Sequence, residues 1–176
     1  TVRVGGTDLE GPGPGAPALA CRIYGDEGSP PAWMIEAALL RALAPRHFLF
    51  LCVANSARSQ MAEGIARSVA PPGVQISSAG SAPASVRPMA VEALAEIGID
   101  IRGQRSKGVD RVRSPVDAVI TLCAEEVCPV WLEDSLRVHW PLPDPAGSGS
   151  SEAEELEAFR KVRDELRRRL ARLFPD

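Results

Sequence analysis

The chain has 176 residues, 45% of them hydrophobic and 24% charged, with a formal net charge of −3. That is enough for one ordinary globular domain with an appendage, and the charge balance gives no nucleic-acid footprint. No stretch approaches the roughly 20 apolar residues of a membrane span, and there is no basic-then-apolar leader, so a cytoplasmic setting without membrane contact is expected.

Residues 1–46 read as an N-terminal extension of unassigned role, separate from a domain over 47–176. Short strands are expected at 1–4 and 20–24, with the linker-like Gly11-Pro12-Gly13-Pro14-Gly15 between them. A helix is expected at 31–43, with Met34, Ile35, Ala38, Leu39 and Ala42 as its apolar positions and Pro45 as its stop. Cys21 lies in this extension and is given no role.

From His47 the pattern alternates. Strands are predicted at 47–51, 74–77, 118–122 and 136–140. Helices are predicted at 59–69, with Met61, Ile65 and Val69 on one stripe, and at 87–97, opened by Pro88 and closed by Gly98. A last helix follows the capping box Ser151-Glu152-Ala153-Glu154 and carries Leu156, Phe159, Val162, Leu166, Leu170 and Leu173 inward. Its run of Arg and Glu is read as a solvated face. Strands alternating with helices imply an α/β fold: three layers, with a four-stranded, mainly parallel sheet flanked by helices. Its site belongs at the C-terminal ends of the strands, where the strand order reverses.

The segment Cys52-Val53-Ala54-Asn55-Ser56-Ala57-Arg58-Ser59 joins the first of these strands to its helix. Backbone N–H groups at a helix start lack intrahelical partners, and the helix dipole adds positive potential there. Residues 53–59 therefore form an oxyanion cradle, and Arg58 adds a planar fork of donors for two oxygens. The same field favours a thiolate at Cys52. Asn55 is the loop residue that best tolerates a left-handed backbone, and Ser56 and Ser59 supply hydroxyls. The alternative is a buried inert Cys with a chance Arg nearby.

A second feature is Thr121-Leu122-Cys123-Ala124-Glu125-Glu126-Val127-Cys128-Pro129. These two cysteines suit a disulfide only if the loop brings their Cα atoms within about 4.4–6.8 Å. They are otherwise small buried residues or half a metal site. The set Cys52, Cys123, Cys128 and His139 lacks zinc-knuckle spacing, so no metal and no cofactor is expected. Glu125 and Glu126 disfavour a resting thiolate, which suits a resolving thiol in exchange. The third feature is His139-Trp140-Pro141-Leu142-Pro143-Asp144-Pro145-Ala146-Gly147, which presents Asp144 rigidly between prolines. Facing an anion, such a carboxyl serves as a general acid. Alone it is an Asp-Pro turn.

Residues 52–67, Cys-Val-Ala-Asn-Ser-Ala-Arg-Ser-Gln-Met-Ala-Glu-Gly-Ile-Ala-Arg, resemble the thioredoxin-coupled arsenate reductases, which share the low-molecular-weight protein tyrosine phosphatase fold. Ser78-Ala79-Gly80, the cysteine segment at 121–129, and His139-Trp140 with Asp144-Pro145-Ala146 agree in order. The resemblance implies that Cys52 attacks arsenate while Arg58 and the loop amides bind its oxygens and Asp144 protonates the departing oxygen. It further implies a Cys52–Cys123 disulfide, passed on to Cys123–Cys128 and reduced by thioredoxin, with phosphate and sulfate as competing anions. Asn55, Ser59, Glu63, Ser78 and Lys107 are expected to support the loop. Asn55, Glu63 and Ser78 match ligands of a potassium ion found in some members, but Lys107 stands where a further ligand is an Asp. An ammonium in that place implies independence of potassium. The alternatives are a tyrosine phosphatase, which needs only Cys52, Arg58 and Asp144, and a non-catalytic oxyanion sensor.

Overall fold

The computed structural model describes residues 3–4, 7–8, 30–124, 129, 131 and 133–175. The expected strand at 20–24, the linker at 11–15, Cys21, Glu125, Glu126 and Cys128 lie outside them.

The chain opens on a hairpin of β1 (Arg3–Val4) and β2 (Thr7–Asp8), paired antiparallel. Helix α1 (Ala32–Leu43) follows and ends where Ala44 turns left-handed, at φ 49°, before Pro45. Then come β3 (His47–Cys52), α2 (Arg58–Val69), β4 (Gln75–Gly80), α3 (Pro88–Ala95), a 3-10 turn (Val109–Arg111), β5 (Ala118–Thr121), β6 (Leu136–His139) and α4 (Glu152–Leu173). The capping box forms in part as expected: Ser151 Oγ accepts the Glu154 N–H at 3.3 Å and opens α4.

The sheet order is β4-β3-β5-β6, and every pairing in it is parallel. β3 is central and buried along its whole length, as its unbroken apolar run requires. Leaving β3, the chain goes first to β4 on one side and later to β5 on the other. The order therefore reverses at the β3–β5 boundary, which opens a crevice at the C-terminal ends of those strands.

The larger core lies on one sheet face. Phe48, Phe50, Ile76, Ala118, Ile120 and Leu122 meet side chains from all four helices there. The other face buries Leu49, Leu51, Ala79, Val116 and Val119 against Trp131, with Val109 and Val112 of the 3-10 region packed over them.

Two of the expected helix faces shift. On α1 the buried positions are Trp33, Met34, Ala37, Ala38 and Leu40, whereas Leu39 is 45% exposed. Trp33 decides this: its ring packs under Arg168 of α4, 4.5 Å from the guanidinium carbon. On α2, Met61 and Ile65 are core, but Val69, the last residue of the helix, is exposed. The charged run of α4 is not wholly solvated. Arg163 and Arg169 are buried and reach Ala93 O with Glu96, and Glu165, respectively. Their long stems cover apolar surface while the head groups find partners.

Candidate active site

Cys52 ends β3 as a buried free thiol, 2% exposed. The loop after it is held from outside. Val53 O accepts Ala82 N–H at 3.0 Å, Ala54 O accepts Ala84 N–H at 2.9 Å, and Ser56 O accepts Arg87 N–H at 2.9 Å. Asn55 O accepts Gln60 Nε2 and the Ser106 hydroxyl. In a trans peptide the N–H opposes the C=O, so carbonyls of residues 53–56 turned outward leave the amides of residues 54–57 turned inward. No side chain caps the start of α2 at Ala57, so its first donors are not consumed by a cap. With these carbonyls tied to the surrounding chain, the loop amides after Cys52 are left for an anion, the arrangement a tetrahedral oxyanion needs.

Asn55 adopts the left-handed conformation expected of it, with φ 45°. Its amide fixes the proton directions around it. The Lys107 main-chain N–H, which can only donate, reaches Asn55 Oδ1 at 2.8 Å, and Gln60 Nε2 reaches it at 3.0 Å. Asn55 Nδ2 therefore donates, to Ser59 Oγ at 2.9 Å and Ser78 Oγ at 2.8 Å. The Ser78 hydroxyl donates to Glu63, and Ser59 Oγ lies 2.9 Å from Cys52 Sγ in a hydrogen bond that either atom can donate. The buried Glu63 carboxylate also meets Arg67 at 2.5 Å and Lys107 Nζ at 3.4 Å. All five expected loop-supporting residues, Asn55, Ser59, Glu63, Ser78 and Lys107, thus belong to one network.

Gly80 closes the back of the loop. Its N–H donates to Lys107 O, and a Cβ there would lie 2.3 Å from Val53 O and 2.8 Å from Asn55 N. Only glycine permits that approach.

Arg58 is buried at the first position of α2. Its Nη2 donates to Asp144 Oδ2 at 2.8 Å and its Nη1 to Leu142 O at 3.1 Å. Asp144 Oδ1 accepts the Ala146 N–H at 3.1 Å, so each carboxylate oxygen has a donor. The prolines on either side of Asp144 present it to the mouth of the loop, where it remains part-exposed.

Cys123, 1% exposed, follows β5 at the same end of the sheet as Cys52. Leu51 pairs with Thr121, and Leu122 N–H extends the ladder to Leu51 O at 2.9 Å. His139 Nδ1 lies 2.7 Å from Thr121 Oγ1, and His47 is bonded to Pro115 O and Ser77 Oγ, so each histidine already has partners in the fold. Among the described residues no group of three or more His, Cys, Asp or Glu side chains gathers to hold a metal ion. No described helix is long and apolar enough to cross a membrane.

Sequence reading missed Gln60, Gln104 and Ser106. Gln104 Nε2 donates to Gln60 O and Oε1, and Gln60 in turn supports Asn55. The available signal was a polar, fully buried position in the first turn of an otherwise amphipathic helix. Only the tertiary fold gives it a partner.

Residues 47–176 match the family described as low molecular weight phosphotyrosine protein phosphatase. An arsenate reductase of Halalkalibacterium halodurans is 43% identical over 124 residues, covering 69% of this chain and 89% of that protein. A solved structure described as an arsenate reductase in the phosphate binding state superposes with a TM-score of 0.62 at 34% identity, covering 73% of this chain and 96% of that one. A Corynebacterium glutamicum thioredoxin-dependent arsenate reductase gives a TM-score of 0.52 at 29% identity, over 76% of this chain and 66% of that one. With its oxyanion cradle, its arginine and its glycine-backed loop, the chain belongs to the low molecular weight phosphotyrosine protein phosphatase family, among the arsenate reductases.

Proposed function

We propose that this chain reduces arsenate to arsenite through a Cys52, Cys123, Cys128 disulfide relay recharged by thioredoxin. The observation that supports the reading is the placing of two buried cysteines at the same end of adjacent parallel strands, one of them at the start of the loop that leads to Arg58. A phosphatase needs the first cysteine alone.

Amides of residues 54–59 and Arg58 bind the oxygens of dihydrogen arsenate. The Cys52 thiolate attacks arsenic, an As–O bond breaks, and Asp144 passes a proton to the departing oxygen, which leaves as water. The Ser59 hydroxyl, 2.9 Å from Cys52 Sγ, is placed to donate a hydrogen bond to the attacking sulfur. Cys123 then attacks the Cys52 sulfur. An S–S bond forms, the S–As bond breaks with its electron pair retained by arsenic, and the thiol proton passes to an arsenite oxygen. Cys128 attacks Cys123 in the same way and releases Cys52 as a thiol. A thioredoxin dithiol supplies two electrons and two protons to the Cys123–Cys128 pair. The thioredoxin-dependent relative from Corynebacterium glutamicum supports that donor. The side chains of Asn55, Ser59, Glu63, Ser78 and Lys107 act through the loop they hold, while the main-chain amides of Asn55 and Ser59 belong to the set that binds the anion.

The family's phosphatase description favours one other activity, hydrolysis of aryl phosphates by Cys52, Arg58 and Asp144. Here Ala146 and Gly147 follow Asp144-Pro145, with no aromatic side chain to grip phosphotyrosine. Arsenate-dependent NADPH oxidation with thioredoxin and thioredoxin reductase, run beside aryl phosphate hydrolysis, decides between them. Cys123→Ser is expected to abolish turnover in the first assay and spare the second. Retained multiple turnover by that variant refutes the relay. Efficient phosphotyrosine hydrolysis by a wild-type chain that ignores arsenate refutes the reductase.

A further inference from the structure

Cys123 reaches the crevice on a short length of chain that lies beyond the last residue of β5. Two main-chain hydrogen bonds hold that length from its other side. Trp140 N–H donates to Thr121 O at 2.9 Å, and Leu142 N–H donates to Leu122 O at 3.1 Å, directly before Cys123. The segment carrying Asp144 therefore runs on as a splint against the segment carrying Cys123. Leu142 is tied at its carbonyl as well, because Arg58 Nη1 donates to Leu142 O. Arg58 Nη2 fixes the splint a second time, two residues later, through Asp144.

We propose that Arg58, beyond clamping the oxyanion, is a positioning residue for Cys123, holding it beside Cys52 through the route Arg58–Leu142–Leu122. This role rests on the relay reading above. The register gives the geometry. Continuing the Leu51–Thr121 pairing sets Leu122 opposite Cys52, with Cys123 one residue further along. With about 4.8 Å between strands and about 3.3 Å per residue, the two Cα atoms are on the order of 6 Å apart. That falls inside the Cα window of about 4.4–6.8 Å for a disulfide, and because side chains alternate along a strand the chain must also turn after Leu122 to aim the Cys123 sulfur at Cys52. Beyond Leu122 the ladder to β3 ends, so the splint and its Arg58 anchor keep Cys123 in that window. A guanidinium suits the task because it is planar and reaches two acceptors at fixed angles, which an ammonium cannot. One residue thereby ties the geometry of the first chemical step to that of the second.

The test isolates disulfide closure from arsenate chemistry. The full chain is oxidised with diamide, which accepts the two electrons and two protons of the dithiol. Samples are quenched with N-ethylmaleimide, and the Cys52–Cys123 disulfide is followed by mass spectrometry. Cys52 alkylation by iodoacetamide is measured alongside as a report on the nucleophile itself. Arg58→Lys keeps the charge and loses the fork. Closure is expected to slow about tenfold or more, the cost of losing a preorganised approach, while Cys52 alkylation stays within about threefold of wild type. Asp144→Asn, which leaves the Leu142 arm intact, is expected to slow closure by about threefold or less.

Closure by Arg58→Lys at the wild-type rate overturns the proposal, as does a parallel fall of closure and alkylation. Should Arg58→Lys fail to fold by circular dichroism, Leu142→Pro takes its place. It removes the N–H that reaches Leu122 O and touches neither the anion nor a thiol. Slow closure with normal alkylation is again the expected result, and wild-type closure overturns the proposal. A wild-type chain that forms no Cys52–Cys123 disulfide overturns the relay itself, and this role of Arg58 with it.

Discussion

Replacing Gly80 by alanine tests whether the oxyanion cradle depends on the close approach of β4 to the loop. The added Cβ would sit 2.3 Å from Val53 O, 2.8 Å from Asn55 N and 3.0 Å from Cys52 O. All three are main-chain atoms, so no side chain can swing aside. Ordinary contact needs about 3.4 Å or more at such a position, so the loop must move by roughly 1 Å, and a misplacement of that size costs about a hundredfold in rate. At about 1.36 kcal/mol per tenfold, that is about 2.7 kcal/mol of transition-state stabilisation. Overpacking adds about 1–3 kcal/mol of destabilisation. The assay is kcat/KM for arsenate reduction together with phosphate binding by calorimetry, with the fold checked by circular dichroism. Gly103→Ala is the control, since a Cβ there meets nothing within 4 Å. The expected result is that Gly80→Ala stays folded, loses phosphate binding and falls about a hundredfold in kcat/KM, while Gly103→Ala matches wild type. A folded Gly80→Ala chain that keeps both binding and kcat/KM refutes the idea that this contact shapes the cradle.

Arsenate kinetics are expected to be equal in potassium and sodium salts, because Lys107 Nζ already supplies a cation 3.4 Å from the Glu63 carboxylate; a large stimulation by potassium refutes this. Trp33→Ala is expected to lower stability by about 3–5 kcal/mol in urea unfolding and to leave kcat/KM unchanged, since its ring is buried between α1 and α4, away from Cys52. A loss well below that range shows that α1 is not part of the cooperative core. Glu96 provides a pH test. Hydrogen bonds from Arg160 and then Arg163 lower its carboxyl from 4.5 to about 2. A carboxyl lowered on folding stabilises fully above its unfolded value and loses that contribution as pH falls through its folded value. Glu96→Gln should therefore be less stable than wild type near neutral pH, with the gap closing between 4.5 and about 2. A gap that is constant across that window refutes the assignment.

Much of the site is legible in the order of residues along the chain. A strand, a Cys-(x)5-Arg loop and a helix start are consecutive, so local rules suffice to find them. The left-handed Asn55 follows from the absence of glycine in the loop. The rest is hidden for a physical reason. Gln60 holds Asn55 locally, but its second partner, Gln104, reaches it only because residues 104–107 fold back over the loop, and no local pattern encodes that return. The buried face of α1 departs from the expected one for the same reason: a periodic apolar pattern gives a helix, but the partner surface on α4 decides which stripe is covered.

By itself, then, the sequence determined the alternation of strands and helices, the loop from Cys52 to Arg58 between a strand and a helix start, and the presence of further thiols, because each is a matter of neighbours along the chain. Only the tertiary structure decided that β5 lies against β3, which puts Cys123 and Cys52 at the same end of neighbouring strands. It also decided that the Asp144 segment returns to meet Arg58. Those placements relate residues 71 and 86 positions apart in the sequence. They depend on strand order and on the reversal at the β3–β5 boundary, which is a property of the whole packed sheet and of no single segment.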